Sequence, residues 1–219
     1  MKTKQEIIDG IISQGMLPLF FHKSKEVTLD VTRTLYKAGI RIIEYTNRGE
    51  AALENFKALK HLQKTELPDL LLGIGTIKTP ADANSFIEAG ADFIIAPIVN
   101  PEVAEIAKKH NLVWIPGCMT PTEIYTAQHF GASLIKIFPA NILGPAFVSS
   151  IKELFPGQLF MPTGGVELTA DNISSWFRAG VCAVGMGSKL ITKKAMENQE
   201  YDQLYNDTLK AIDLVQTSR

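Results

Sequence analysis

One local pattern recurs four times in this chain and limits its fold more than any other feature. A helical stretch ends at glycine, and a short aliphatic run follows at once. The pattern occurs at Lys37-Ala38-Gly39 before Ile40-Arg41-Ile42-Ile43 and at Glu88-Ala89-Gly90 before Ala91-Asp92-Phe93-Ile94-Ile95. It returns at His129-Phe130-Gly131 before Ala132-Ser133-Leu134-Ile135-Lys136, and at Arg178-Ala179-Gly180 before Val181-Cys182-Ala183-Val184. Glycine is the natural left-handed residue after a helix, so each instance predicts helix, cap, strand. The repeated unit is αβ.

Further apolar runs lie between these units, at Leu17 to Phe21, Leu70 to Ile74, Leu112 to Ile115 and Gln158 to Met161, which makes eight candidate strands. Amphipathic stretches alternate with them, at Pro101 to His110, Thr122 to Phe130 and Ala170 to Phe177. Several are opened by a capping residue and proline, as at Thr79-Pro80, Asn100-Pro101 and Thr120-Pro121. Strands that are apolar on both faces and alternate with helices predict a parallel sheet covered by helices. Eight units predict a (β/α)8 TIM barrel, and barrels of roughly 200 to 250 residues suit a 219-residue chain. The rival is an open doubly wound sheet, but no Gly-x-Gly-x-x-Gly follows the first strand. The expectation is one domain over 1–219, with a helix before the first strand and a last helix from Glu197 to Ser218.

Charge and composition narrow the function. Lys plus Arg number 22 against 23 Asp plus Glu, a net charge of -1, so no electrostatic case exists for nucleic acid or an anionic membrane. The apolar runs, such as Met16 to Phe21, fall far short of the roughly 20 residues needed to cross a bilayer. The first residues carry Lys2, Lys4, Glu6 and Asp9, unlike an export signal, and predict a cytoplasmic protein. Cys118 and Cys182 are too few for a disulfide framework. Small molecules remain as the expected partners.

In such barrels the reactive groups sit at the C-terminal ends of strands. Lys136 lies in Leu134-Ile135-Lys136-Ile137-Phe138-Pro139. Alternation puts Leu134, Lys136 and Phe138 on one face, with Ile135 and Ile137 facing the helices. Lys136 therefore points inward, where desolvation lowers an amine's pKa and frees a nucleophile. The same parity in Ile42-Ile43-Glu44-Tyr45-Thr46 turns Glu44 inward. An inward amine with an inward carboxylate is what Schiff-base chemistry on a keto acid needs, one to condense and one to move protons. A lysine snorkelling to the strand end, or a structural Lys136–Glu44 ion pair, explains the same residues.

Glycines supply a third element. Thr163-Gly164-Gly165 follows the seventh strand, and Gly185-Met186-Gly187-Ser188 ends the eighth, where barrel loops form phosphate sites. Turn geometry alone accounts for either cluster taken singly. His22, His61, His110 and His129 show no metal-ligand spacing, so no metal site is expected. Cys118 reads as a packed thiol, and Trp114 and Trp176 as core or rim aromatics.

The motifs that carry these residues also carry a resemblance. Ile40 to Gly49, Gly73-Ile74-Gly75-Thr76, Ile115 to Glu123, Lys136-Ile137-Phe138-Pro139-Ala140, Pro162 to Val166 and Gly185-Met186-Gly187-Ser188 together resemble the KDPG/KHG aldolase family, over nearly the whole chain. The abbreviations stand for 2-keto-3-deoxy-6-phosphogluconate and 4-hydroxy-2-oxoglutarate. The resemblance implies a class I aldolase that cleaves one or both of these to pyruvate and an aldehyde. It implies Lys136 as the Schiff-base lysine, Glu44 as the proton-transferring carboxylate, Arg48 at the substrate carboxylate and Thr76 beside pyruvate. By the same likeness Pro97 and Phe138 wall the keto acid, and Thr163, Gly164, Gly165, Gly187 and Ser188 hold the distal hydroxyl and phosphate. A homotrimer that needs neither metal nor organic cofactor is also implied. The chain departs from the family pattern at His22-Lys23, where an arginine is common, at Asn47, and at Ile98-Val99-Asn100. All three departures bear on the distal half of the substrate.

Two other functions fit the barrel. An isomerase or synthase on a phosphate-binding barrel needs no inward lysine, which the Lys-Ile-Phe-Pro context argues against. A non-catalytic sugar-acid binding protein would bind keto acids without a covalent adduct.

Overall fold

A computed structural model describes residues 2–219. Helix α1 (Lys4–Gln14) precedes β1 (Met16–Phe20), and strands and helices then alternate: α2 (Lys25–Lys37), β2 (Ile42–Thr46), α3 (Ala52–Thr65), β3 (Leu71–Gly75) and α4 (Pro80–Glu88). After these come β4 (Phe93–Ile95), α5 (Pro101–Lys109), β5 (Val113–Ile115), β6 (Gly117–Cys118), α6 (Pro121–His129) and β7 (Leu134–Ile137). The chain continues through α7 (Ala140–Ile151), β8 (Leu159–Pro162), α8 (Ala170–Ala179), β9 (Val184–Met186), α9 (Lys193–Glu197) and α10 (Tyr201–Thr217).

Every strand pairing is parallel, in the orders β5-β4-β3-β2-β1-β9 and β6-β7-β8. The order follows the chain with no reversal, unlike a doubly wound sheet. This is an α/β fold with a curled parallel sheet. Its two segments approach each other at Pro116, whose carbonyl accepts from the Lys136 N–H at 2.9 Å, and at a parallel bridge between Thr163 and Gly185. The fifth expected strand, Leu112 to Ile115, is present as β5 and resumes after a break at Pro116 as the unexpected β6, because proline has no N–H to continue the ladder.

The four predicted glycine caps are present, with φ of 109° at Gly39, 94° at Gly90, 83° at Gly131 and 101° at Gly180. The strands after them start later than the sequence pattern suggested. Ile40, Ala91 and Ala132 donate their N–H back to Leu35, Phe86 and Ala127, so the first aliphatic residue closes the helix instead of opening the strand. The three Pro-opened helices are capped as expected, by Thr79, Asn100 and Thr120. The tail differs: α9 and α10 are separate helices, divided at Asn198 to Glu200, where Gln199 takes φ of 55°. Helix α7, which has no clear sequence periodicity, bends at Gly144 before Pro145.

The alternation of side chains separates two cores. Met16, Ile43, Tyr45, Ile74, Ile94, Ile135 and Phe160 pack outward against the helices. Leu17, Ile42, Phe93, Ile115, Leu134 and Met161 turn to the concave face, where Ile7, Ile8 and Ile11 of α1 join them. Helix α1 is held by a capping box between Thr3 and Glu6. At the C-terminal end of α1, the Gln14 side chain donates to the carbonyls of Met16 and Ile42 and accepts from the Arg41 and Ile42 N–H groups. One side chain thereby fixes the helix to the starts of β1 and β2.

Candidate active site

Lys136 shares its strand face with Leu134, and Glu44 shares its face with Ile42, so both belong to the concave side, one step nearer the strand C-termini. Lys136 Nζ lies 3.7 Å from Glu44 Oε1, and both side chains are buried. That separation is an ionic contact rather than a hydrogen bond. Neither Glu44 carboxylate oxygen has a hydrogen-bond partner among the described residues. Burial pushes the Lys136 amine below the ordinary lysine range; Glu44 opposes this shift, and the Arg48 guanidinium adds to it.

A second buried lysine shows what a structural pair looks like in the same chain. Lys60 Nζ sits 2.9 Å from Asp92 Oδ2, which also accepts from Gln63 Nε2 and the Leu72 N–H. That one oxygen accepts three hydrogen bonds. Among the described residues Lys136 and Glu44 have only each other, at a longer distance, and buried polar groups without partners are costly unless they serve a purpose.

Space around the pair comes from missing side chains. In register, Lys136 stands beside Gly117, and Glu44 beside Gly73. A Cβ on Gly75 would overlap the Glu44 carboxylate, and one on Gly73 would run into the Phe93 ring. Gly75 therefore makes room for the carboxylate, and Gly73 for the core beneath it. Thr76, next in line, has φ of 64°, a strained conformation for a β-branched residue.

Seven of the expected substrate residues line one cleft of about 300 Å3: Arg48, Phe138, Thr163, Gly164, Gly165, Gly187 and Ser188. The Lys136 amine lies 5.0 Å from the centre of the Phe138 ring, which ties the cleft to the amine. Thr163 Oγ1 is buried without a partner and lies against Gly185. Thr76 and Pro97 are half-buried and do not line this cleft; the Pro97 carbonyl packs on Gly117, beside Lys136. His22 uses Nδ1 to accept from the Ser24 N–H, and Asn47 donates to Asp82. Cys118 is buried, and burial pushes its thiol up to about 12, as suits a packed side chain. Sequence reasoning missed Leu19, Phe21 and Lys189, which also line the cleft. Leu19 and Phe21 follow strand parity only once β1 has its register, and Lys189 has no local signal except its place beside Ser188.

A curled parallel α/β sheet with this lysine–glutamate pair invites comparison with known proteins, and the sequence model described as "Aldolase: KDPG and KHG aldolase" matches residues 7–206. The chain belongs to the KDPG and KHG aldolase family. It is an enzyme, a lyase of the aldolase type. The 2-dehydro-3-deoxy-phosphogluconate aldolase of Treponema pallidum is 32% identical over 200 residues, covering 90% of this chain and 92% of that protein. That of Haemophilus influenzae is 30% identical over 216 residues, covering 97% and 98%. Among solved structures, the KDPG aldolase of Legionella pneumophila, with pyruvate captured at low pH as a covalent carbinolamine intermediate, superposes with a TM-score of 0.83 at 27% identity, covering 91% of this chain and 95% of that one. Among the described residues, no helix is long and apolar enough to cross a membrane.

Proposed function

We propose that this aldolase works through a Schiff base on Lys136, with Glu44 as its proton carrier, and that its substrate is 2-keto-3-deoxy-6-phosphogluconate, cleaved to pyruvate and glyceraldehyde 3-phosphate. 4-Hydroxy-2-oxoglutarate, giving pyruvate and glyoxylate, is the second substrate of the same site. The observation that carries the reading is the isolated contact of 3.7 Å between two buried groups with no other polar partners among the described residues. The carbinolamine in the Legionella pneumophila relative supports it.

The neutral Lys136 amine attacks the C2 carbonyl, the carbinolamine loses water, and an iminium forms. Glu44 takes the proton of the C4 hydroxyl as the C3–C4 bond breaks, the bonding electrons pass into the iminium as an enamine, and the aldehyde leaves. Protonation of the enamine carbon and hydrolysis then release pyruvate and the amine. Arg48 holds the keto-acid carboxylate with Thr76, Pro97 and Phe138 form the apolar walls, and Thr163, Gly164, Gly165, Gly187 and Ser188 receive the distal hydroxyl and phosphate. The iminium nitrogen is the electron sink, so neither metal nor organic cofactor enters the scheme, and a chelator should leave turnover unchanged. The scaffold of this reading is a closed, single-domain (β/α)8 barrel, assembled as a trimer as the family resemblance implies.

The test is borohydride reduction in the presence of pyruvate, followed by peptide mass mapping. One reduced adduct, on Lys136, is expected, and Lys136→Arg should abolish both adduct and turnover because a guanidinium stays protonated. Binding of pyruvate without any adduct would mean a non-catalytic site.

A further inference from the structure

Among the described residues, the cleft beside Lys136 is lined by only two charged side chains, Arg48 and Lys189, and by no carboxylate. Arg48 follows β2 and is near enough to Lys136 to depress its pKa, so it marks the keto-acid end. Lys189 follows Ser188, on the side of the cleft formed by Gly164, Gly165 and Gly187. Two cations from two different loops, after β2 and after β9, suit a substrate with two anions.

Lys189 is not idle. Its Nζ lies 3.3 Å from Glu167 Oε1, and both side chains are about half exposed. Glu167 stands just outside the cleft, two residues after Gly165. Its backbone is fixed, since its N–H donates to Asn172 Oδ1 while Asn172 Nδ2 donates to the Gly165 carbonyl. The loop is thus held by its main chain, and among the described residues the Glu167 side chain has no other hydrogen-bond or ionic partner. Exposed ion pairs of this kind contribute about 0–1 kcal/mol. A charge-assisted bond to a phosphate in a partly enclosed cleft is stronger. The lysine can therefore leave one partner for the other at little cost.

We propose that Lys189 selects for a substrate with a distal phosphate, and that Glu167 is its resting counter-ion, released when the phosphate arrives. The inference rests on the reading that this cleft holds the substrate of a Schiff-base aldolase.

The experiment measures kcat and KM for three acids, namely 2-keto-3-deoxy-6-phosphogluconate, its unphosphorylated analogue and 4-hydroxy-2-oxoglutarate, with wild type, Lys189→Met, Lys189→Arg and Glu167→Gln. Pyruvate trapping by borohydride is followed in parallel. Lys189→Met should raise KM for the phosphorylated acid about 10- to 100-fold, the usual size of a lost hydrogen bond to a charged group. The unphosphorylated acid and the trapping should be unaffected, and Lys189→Arg should retain most of the preference. Glu167→Gln should lower KM for the phosphorylated acid by about 2- to 5-fold, since the competing pair is weak. A brace between the two loops predicts the opposite, with both Glu167→Gln and Lys189→Met impairing all three substrates alike, and that result overturns the proposal. So does a wild type with no preference for the phosphorylated acid, or a Lys189→Met effect confined to 4-hydroxy-2-oxoglutarate, whose distal anion is a carboxylate. Loss of trapping at Lys136 in wild type would instead remove the Schiff-base reading itself.

Discussion

Lys136 and Glu44 come from strands that share no ladder, β7 and β2, yet their charged ends lie 3.7 Å apart on the concave face of the sheet. Among the described residues, each is the only polar partner the other has. Burial, opposed by Glu44, sets the protonation of the Lys136 amine, and several outcomes follow.

The first concerns proton transfer. Glu44→Gln should preserve the fold and slow deuterium exchange into the methyl group of pyruvate by about 10² to 10⁴-fold, the range for a positioned acid–base group. Exchange at the wild-type rate would make Glu44 a structural partner only.

Next is the pH dependence of adduct formation. The folded-state pKa of Lys136 is depressed by burial, so the neutral amine appears, and trapping reaches half its maximum, at a pH below the ordinary lysine value of about 10.4. Glu44 favours the ammonium, so Glu44→Gln should move the midpoint to lower pH. Arg48 disfavours it, so Arg48→Gln should move the midpoint to higher pH. Rate against pH for the three proteins checks both signs.

Stability gives a third outcome. Removing one member of a buried pair strands the other, at a cost of about 3–5 kcal/mol. Lys136→Met should thus destabilise the protein at pH 7, and the double variant Lys136→Met with Glu44→Gln should recover most of the loss. Urea unfolding of the three proteins at pH 7 reads the difference, and a double variant no more stable than Lys136→Met would show that the Glu44 charge is not stranded.

Two glycines separate chemistry from packing. Gly75→Ala places a methyl group on the Glu44 carboxylate, and overpacking of that kind costs about 1–3 kcal/mol, so pyruvate exchange should fall about 10-fold or more. Gly73→Ala meets the Phe93 ring instead and should lower the melting temperature. Its exchange rate, measured well below that temperature, should change less than that of Gly75→Ala.

Thr76 offers the reverse experiment. Its φ of 64° costs on the order of 1–3 kcal/mol for a residue other than glycine. Thr76→Gly should raise stability while raising KM for the keto acid, if the side chain is what the strain is maintained for. Greater stability with unchanged kinetics would remove Thr76 from the site.

Much of this site was legible before any coordinates, because it depends on local rules. Glycine after a helix locates the αβ joints, and a period of two along a strand decides which way Lys136 and Glu44 face. Both are properties of a few consecutive residues. The strand starts were misplaced for a local reason as well: Ile40, Ala91 and Ala132 look like strand residues, yet their N–H groups complete the preceding helix.

What the tertiary structure alone decided are the relations between distant segments. Parity turns Lys136 and Glu44 inward, but only the curl of the sheet brings β7 within reach of β2. Nothing near Lys189 announces that it lines the same cleft as Arg48, or that Glu167 is its partner, because those distances depend on how two loops end side by side. Likewise Gly75 is an ordinary glycine in the sequence and becomes the space for a carboxylate only beside Glu44. The sequence by itself determined the type of each element and the direction of each side chain, since backbone hydrogen bonding and chirality set these within a few residues. Proximity was left to the packing of the whole chain, where burial of the two cores selects one arrangement of strands, and with it one set of neighbours for every charge.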